Sequence, residues 1–376
     1  MKDRLSNFEL MRIISMFMII ITHIILYAIK LDNVNPDIKF LFDICKSLIV
    51  VHVNSFILLS GYFQCKSAFK LSKLIKLNDQ VLFYKIVIFI LFTIFGLISI
   101  NAVDVYRNFF PFDLDSYWFI RVYILLYIFS PYLNIIINNI DKRNYRLLLL
   151  LMFFLFSVLS SMTKQQALTT STVNNGFSFT SFIFLYFVGA YFRNYPIENT
   201  YYGKKYSKKL LQLIFIFLFF LLALFNFTLH ETFGQLLNAG KLTSYISDII
   251  VWCFDKYDNP LVVLGSICYF RIFYFMNFKN KIINKISSTA FGVYLIHENI
   301  YVREFVYDLF KFPNKILSSK IFIHIFLAAI IIFIVCSLIE IIRQYLFKLI
   351  YKLKISVWWR KKYRNYLKNI GLNIKW

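Results

Sequence analysis

Two ionisable residues in the first apolar segment have a spacing that suits group-transfer chemistry. Arg12 and His23 stand eleven positions apart in RIISMFMIIITH. On an α-helix, at about 100° and 1.5 Å per residue, they share a face about 16 Å apart along the axis. That separation is close to the reach of a phosphopantetheine arm, so an arginine holding the phosphates of coenzyme A could leave a thioester near the histidine. The alternative is an arginine that caps the helix and a histidine bonded to a nearby carbonyl.

Other polar residues recur inside apolar segments, where a central charge costs roughly 2.5 to 3.5 kcal/mol and is therefore a candidate for function. Asp43 could orient the His23 ring as the acid of a dyad, or pair with Lys46 three residues later. Tyr294 and His297 share a helix face by their spacing. They could line the cavity of His23, with Tyr294 donating to a developing oxyanion, or pack in the core with satisfied polar tips.

Several further residues have both a structural and a functional interpretation. Trp118 and Arg121 share one helical turn and either anchor the membrane interface or bind a glycan by stacking and hydrogen bonding. His52 and Asn54 lie in the middle of an apolar segment and could line the cavity or bond across helices. Ser60 and Gly61 favour close helix packing, although Ser60 could also contact substrate.

The elements that must position these residues are membrane helices. Of the 376 residues 59% are hydrophobic and 16% charged, and the mean hydropathy is +0.64. Runs of about 20 apolar residues, without the alternation of a barrel strand, predict an all-α polytopic bundle of about ten helices. The predicted spans are 8–29, 40–62, 81–102, 118–138, 147–161, 179–192, 210–228, 260–278, 290–307 and 321–342. The segment 245–254 is too short to cross and is predicted to be interfacial or re-entrant.

The distribution of charge predicts the orientation of this bundle. Lys and Arg are more numerous in the segments that lie inside when both termini are cytoplasmic. We expect a membrane domain over 1–347 and a basic cytoplasmic tail over 348–376 against anionic head groups. The net charge of +23 then needs no nucleic-acid partner. Four charged residues near predicted span ends are expected to reach the head groups, namely Glu9, Lys85, Arg271 and Glu340.

The five cysteines show no paired spacing and indicate neither a disulfide framework nor a zinc site. Four ordered motifs, by contrast, resemble acyltransferase family 3 membrane proteins. They are RIISMFMIIITH in the first predicted span, NSFILLSGYF in the second, YWFIRVYILLYIFSPYLN in the fourth and FGVYLIHEN in the ninth. Together they extend from Arg12 to Asn299.

The resemblance implies transfer of an acyl group, usually acetyl from acetyl-CoA, to a hydroxyl of a surface polysaccharide or other envelope glycan in the plasma membrane. By the family pattern His23 is the catalytic histidine and Arg12 its motif partner. The histidine could act as a general base or form a covalent acyl intermediate. The glycan would be the acceptor, and other glycan-assembly membrane proteins could be partners.

The chain departs from the family pattern after Ser60 and Gly61. Members often carry arginines there, whereas this sequence has Lys70, Lys73 and Lys76, which can meet a phosphate without a bidentate fork or serve as ordinary positive-inside charge. The rival function is a transporter or flippase for a lipid-linked glycan or small solute, for which matched broken helices in repeated halves are expected. A purely structural membrane subunit explains the composition but not the ordered motifs.

Overall fold

The computed structural model describes residues 4–29, 34–110, 117–162, 176–240, 244–312 and 319–352, and this part of the chain is helical without strands. The α-helices are α1 Ser6–His23, α2 Pro36–Ile49, α3 His52–Gln64, α4 Leu71–Ile94, α5 Ala102–Phe109, α6 Trp118–Asn139, α7 Lys142–Phe153, α8 Ser160–Met162, α9 Phe179–Asn194, α10 Tyr201–Lys205, α11 Lys208–Asn238, α12 Ser244–Cys253, α13 Pro260–Tyr274, α14 Lys281–Ser287, α15 Ala290–His297, α16 Ile300–Leu309 and α17 Lys320–Lys352. Most of the predicted tail lies outside the described residues.

Seven stretches of the described chain are long and apolar enough to cross a membrane. They are Ser6–Ala28, Pro36–Gln64, Leu71–Ile94, Trp118–Asn139, Lys142–Met162, Lys208–Leu237 and Lys320–Leu349. The all-helical membrane architecture is confirmed, whereas the other three predicted spans fall on shorter helices, namely α9, α13 and the α15–α16 pair. The segment predicted as interfacial contains α12, which has ten residues.

The predicted span 290–307 is broken because Asn299 starts a new helix. The Asn299 side chain accepts a hydrogen bond from the backbone N–H of Tyr301, which is the usual N-cap arrangement. Its amide donates to the Tyr117 hydroxyl at 3.2 Å, and that hydroxyl donates to the Leu295 carbonyl at 2.8 Å. These bonds fix the turn that carries Glu298 between α15 and α16.

A π-helical turn over Ile24–Ala28 follows α1 directly after His23. Single π turns within α-helices occur frequently at functional sites because they redirect the side chains around them. Here the turn begins directly after His23 and contains Tyr27, and the centres of the two rings lie 5.7 Å apart. Both residues therefore face the same region at the end of the helix.

Helices α3 and α9 cross at two glycines. A Cβ atom on Gly61 would lie 2.1 Å from the Tyr186 carbonyl oxygen, and one on Gly189 would lie 2.1 Å from the Leu58 carbonyl oxygen. No side chain larger than hydrogen fits at either position without moving a backbone. The predicted close packing at Gly61 is confirmed.

Two hydrophobic cores flank the site. The first contains buried residues of α3, α6, α9 and α13, and the second contains buried residues of α4, α15 and α17. Helix α1 contributes to both, with Met11 in the first and Ile20 in the second. Since α1 runs between the two cores, its polar face borders the space that they leave open.

Candidate active site

Arg12 and His23 line one cavity of about 530 Å³. The eleven-residue spacing places them about 16 Å apart along α1. Apolar side chains form much of the wall between them, including Met16, Ile19 and Phe56. The cavity can therefore hold an extended ligand with one end at the arginine and the other at the histidine.

At the Arg12 end, the guanidinium lies 2.6 Å from the Glu9 carboxylate. Glu9 also accepts a hydrogen bond of 2.6 Å from the Ser287 hydroxyl and lies 3.7 Å from Arg4. The expectation that Glu9 reaches the head groups is wrong, because these partners hold it inside at 5% exposure. Arg4 and Arg12 face a single carboxylate here, so this end of the cavity has an excess of positive charge.

At the other end, Nδ1 of His23 lies 2.8 Å from Glu298 Oε2 and 3.0 Å from His297 Nε2. His297 Nδ1 lies 2.6 Å from the Val293 carbonyl oxygen, which can only accept, so that nitrogen carries the ring proton. A neutral His297 then offers Nε2 as an acceptor. With two acceptors beside it, His23 Nδ1 carries the proton and leaves the lone pair on Nε2 to receive another.

Glu298 is held in place by a second set of contacts. Its other oxygen lies 3.4 Å from the Arg303 guanidinium and accepts from the Tyr27 hydroxyl at 3.4 Å. The same guanidinium lies 4.1 Å from the centre of the Tyr27 ring. The carboxylate is buried and paired on both sides, so it can stabilise a positive charge on His23 without shifting.

The carboxylate beside His23 is thus Glu298 and not the predicted Asp43. Asp43 lies on α2, which packs against α11, and its carboxylate is 3.3 Å from Lys46 and 4.0 Å from His230. This is the alternative pairing with Lys46. The dyad interpretation of Asp43 is not supported by this geometry.

Tyr294 lies deep in the cavity wall and its ring centre is 6.1 Å from that of His297. Its hydroxyl is buried and has no hydrogen-bond partner among the described residues. An unpaired buried hydroxyl is costly, which favours a partner supplied by a ligand. The hydroxyl is therefore available to a group bound near His23.

Trp118 separates the first cavity from a second one of about 380 Å³, because it lines both. Its ring packs against Phe177 at 4.4 Å and against Tyr257 at 6.1 Å. The second cavity also borders Tyr27 and Glu298, so it approaches the histidine pair from the far side. Arg121, predicted to act with Trp118, is exposed and lines none of these cavities.

The remaining predicted residues divide between the cavity wall and the scaffold. Ser60 lines the cavity and donates to the Phe56 carbonyl at 2.8 Å. Asn54 instead donates to the Tyr257 carbonyl at 2.8 Å and to Ser266 at 3.2 Å, which places it between α3 and α13. These bonds join α3 to α13 and to the turn that precedes it, so the role of Asn54 is structural.

The three lysines after Gly61 are exposed at the start of α4. Lys73 lines a recess of about 100 Å³ whose wall shares Gln64, Leu77 and Tyr123 with the first cavity. Lys76 is one turn further along. The Lys70 backbone exchanges hydrogen bonds with the Tyr127 hydroxyl, at 3.1 Å in both directions. Lys73 thus lines a recess that adjoins the first cavity.

Three more ionisable residues expected at the head groups are buried. Helix α4 begins at Leu71, ten residues before the predicted span, so Lys85 lies about 21 Å from its start. Arg271 packs on the Phe192 ring at 3.8 Å. Glu340 accepts from Tyr84 at 2.6 Å and from Arg343 at 2.7 Å. Each has partners within the bundle, so the expectation for these residues is wrong.

His52 and Glu298 complete the site. His52 lines the first cavity, as one of its two interpretations predicts, whereas Glu298 was not among the predicted site residues. His52 accepts from the Val53 backbone at 2.8 Å, so its Nε2 carries the proton and donates to Thr22 at 3.0 Å. Both nitrogens of His52 are used, which makes it a support for α1 beside His23. Glu298 follows His297 directly in FGVYLIHEN, and that adjacency was the available signal.

Among the residues that the structure describes, two groups of side chains have possible metal-ligand atoms within 4.8 Å of one another, namely His23 with His297 and Glu298, and Asp43 with His230 and Glu231. Arg303 lies 3.4 Å from the first group's carboxylate, and Lys46 lies 3.3 Å from Asp43. In each group, a carboxylate therefore already has a cationic side chain as a partner. Hydrogen-bonded ion pairs describe both groups better than metal centres.

Comparison with known protein families finds one match over most of the chain. The acyltransferase domain model of family 3 matches residues 5–341. Comparison with curated proteins and with solved structures finds no match. The matched region includes every lining residue of the first cavity except Arg4.

Proposed function

The chain belongs to acyltransferase family 3, and from this premise we propose that it moves an acetyl group from acetyl-CoA to a hydroxyl of a surface polysaccharide or other envelope glycan. The observation that carries the proposal is the cavity with Arg12 at one end and His23, held by Glu298, at the other. Phosphate binding and proton transfer are thereby separated by about the length of a phosphopantetheine arm.

The donor enters from the Arg12 end. Arg4 and Arg12 share the single carboxylate of Glu9, so their excess positive charge can bind phosphate oxygens. Lys73 adds a further positive charge at the adjoining recess. The apolar wall of Met16, Ile19 and Phe56 suits the pantetheine arm. The nucleotide then stays at the mouth while the thioester reaches His23.

At the His23 end, Nε2 takes the proton from the acceptor hydroxyl as its oxygen attacks the thioester carbonyl. The Tyr294 hydroxyl donates to the oxyanion that forms, and Glu298 stabilises the imidazolium. When the C–S bond breaks, the imidazolium returns its proton to the leaving thiolate. The products are the O-acetyl ester and coenzyme A, and the histidine is neutral again.

The direction of transfer follows from the orientation expected of the bundle. With both termini in the cytoplasm, the Arg12 end faces cytoplasmic acetyl-CoA, and the second cavity faces the outer surface of the plasma membrane, where glycan acceptors lie. The proposed bundle has about ten crossings, which are the seven longer stretches and three shorter elements, namely α9, α13 and the α15–α16 pair.

The test uses purified protein in nanodiscs with radiolabelled acetyl-CoA and extracted envelope glycans. Ester-linked label in the glycan is expected although nanodiscs enclose no compartment. A transporter acting alone would form no such ester. Absence of both acetyl transfer and acetyl-CoA hydrolysis, in protein shown to be folded, would contradict the proposal.

A further inference from the structure

The second cavity has a polar wall unlike that of the first. Its volume is about 380 Å³, and it lies beyond Trp118 from the donor cavity. Besides Trp118, eight of its ten lining residues carry a charge, an amide or a phenol, namely Tyr27, Lys85, Asp104, Arg107, Asn108, Glu298, Tyr301 and Arg303. Such a wall suits a hydrated, hydroxyl-rich ligand better than an apolar one.

The charges of this wall are unequal. Three cationic residues, Lys85, Arg107 and Arg303, face two carboxylates, Asp104 and Glu298. Glu298 is already paired with Arg303 and His23, so it adds little negative potential. Arg107 is exposed on α5, where its guanidinium can turn towards an incoming anion. The described wall therefore carries one excess positive charge.

The position of the cavity links it to the reaction. Glu298 lines it and contacts His23 at 2.8 Å, so a sugar in the cavity lies one side chain away from the base. Trp118 offers an aromatic surface at the boundary with the donor cavity. Asn108, buried and bonded to Tyr301 at 3.0 Å, fixes the far wall.

Resting on the proposed function, we infer that this cavity is the acceptor site and that it selects an anionic sugar. The anion is a carboxylate or a phosphate on the acceptor, and Arg107 binds it with the planar fork that matches either group. Trp118 packs against the sugar ring and presents the reactive hydroxyl towards His23. A neutral glycan of the same shape binds more weakly.

A neighbouring cavity of about 660 Å³ provides the comparison. It contains Lys46, Asp255 and Lys256 at its polar edge, but apolar residues such as Ile25 and Val50 form much of its wall. Lys256 lies 3.0 Å from Asp255, so its charge is balanced locally. Lys256→Ala is therefore a matched control that removes a cation from the same end of the bundle without touching the acceptor site.

The experiment measures acetyl transfer in nanodiscs to an acidic envelope polysaccharide fraction before and after its charge is removed. Carboxyl reduction removes carboxylates, and hydrofluoric acid treatment removes phosphates, so the two arms identify the anion. We expect one treatment to lower transfer about tenfold. Arg107→Ala should lower transfer to the untreated fraction about tenfold, and Arg107→Lys should retain part of the wild-type transfer. Lys256→Ala should leave this transfer unchanged.

The outcomes separate this inference from the function on which it rests. Equal transfer before and after both treatments, or an Arg107→Ala protein as active as wild type on the acidic fraction, would overturn the anionic acceptor while leaving acyl transfer intact. Hydrolysis of acetyl-CoA with no label in the acidic fraction would also overturn it. Loss of both hydrolysis and transfer in wild-type protein would instead contradict the proposed function.

Discussion

Glu298 Oε2 lies 2.8 Å from Nδ1 of His23, and its other oxygen is held by Arg303 at 3.4 Å. A carboxylate in this position fixes the ring and its tautomer and stabilises the imidazolium that forms during proton transfer. Because the pair is buried, its electrostatic interaction is screened less than a surface contact would be. The geometry gives Glu298 a positioning role through His23.

Glu298→Gln should lower kcat by about 10- to 100-fold, since the amide keeps the shape but not the charge that stabilises the imidazolium. The KM for acetyl-CoA should be nearly unchanged because Arg12, the proposed phosphate-binding residue, lies about 16 Å away. Steady-state kinetics in nanodiscs measure both constants. Unchanged kcat in a protein of normal thermal stability would remove Glu298 from the mechanism.

Tyr294→Phe should lower kcat by about 100-fold, because it removes one hydrogen-bond donor to the oxyanion. Packing should be preserved, since the hydroxyl has no partner among the described residues. Tyr123→Phe is the matched control, because Tyr123 lines the same cavity but accepts from Gln64 at 2.8 Å. Equal kcat values for the two variants would contradict the oxyanion role of Tyr294.

Arg12→Gln should raise the KM for acetyl-CoA about tenfold or more, corresponding to about 1.4 kcal/mol of lost binding. The same variant should use S-acetylpantetheine, which lacks the nucleotide phosphates, almost as well as wild type does. Comparison of the two donors separates phosphate binding from a general loss of structure around Glu9. An equal loss with both donors would indicate that Arg12 only supports the fold.

Gly189→Ala should destabilise the protein by about 1 to 3 kcal/mol, because the added Cβ meets the Leu58 carbonyl oxygen across the α3–α9 crossing. Gly234→Ala is the control, since its nearest neighbouring atom would be 4.0 Å away. Thermal unfolding in detergent compares the two variants. Similar melting temperatures would show that the crossing is not tightly packed.

The sequence could predict the parts of the site that depend on local periodicity. Arg12 and His23 lie on one helix, so their relative position follows from helix geometry alone. The contact between His23 and His297 joins residues 274 positions apart, and no periodic pattern specifies such a pairing. Glu298 was missed because its position depends on the break at Asn299, within a segment that is apolar enough to be taken as one span.

The placement of ionisable residues shows the same limit. Glu9 and Lys85 were expected at head groups because hydropathy locates span ends only within several residues. The structure gives Glu9 partners in Arg12 and Ser287, and it extends α4 back to Leu71, so that Lys85 reaches the second cavity. The buried positions of Glu9 and Lys85 depend on contacts with distant parts of the chain, which a hydropathy window does not include.

The most direct test of the central claim is acetyl transfer by His23→Ala in nanodiscs, with radiolabelled acetyl-CoA and envelope glycan. His324→Ala is the matched control, because His324 stacks on Phe312 at 4.8 Å and lines none of the cavities around His23. We predict that His23→Ala abolishes ester formation while remaining folded and binding acetyl-CoA, and that His324→Ala retains it. Wild-type rates of transfer by folded His23→Ala protein would contradict the role of His23 as the base.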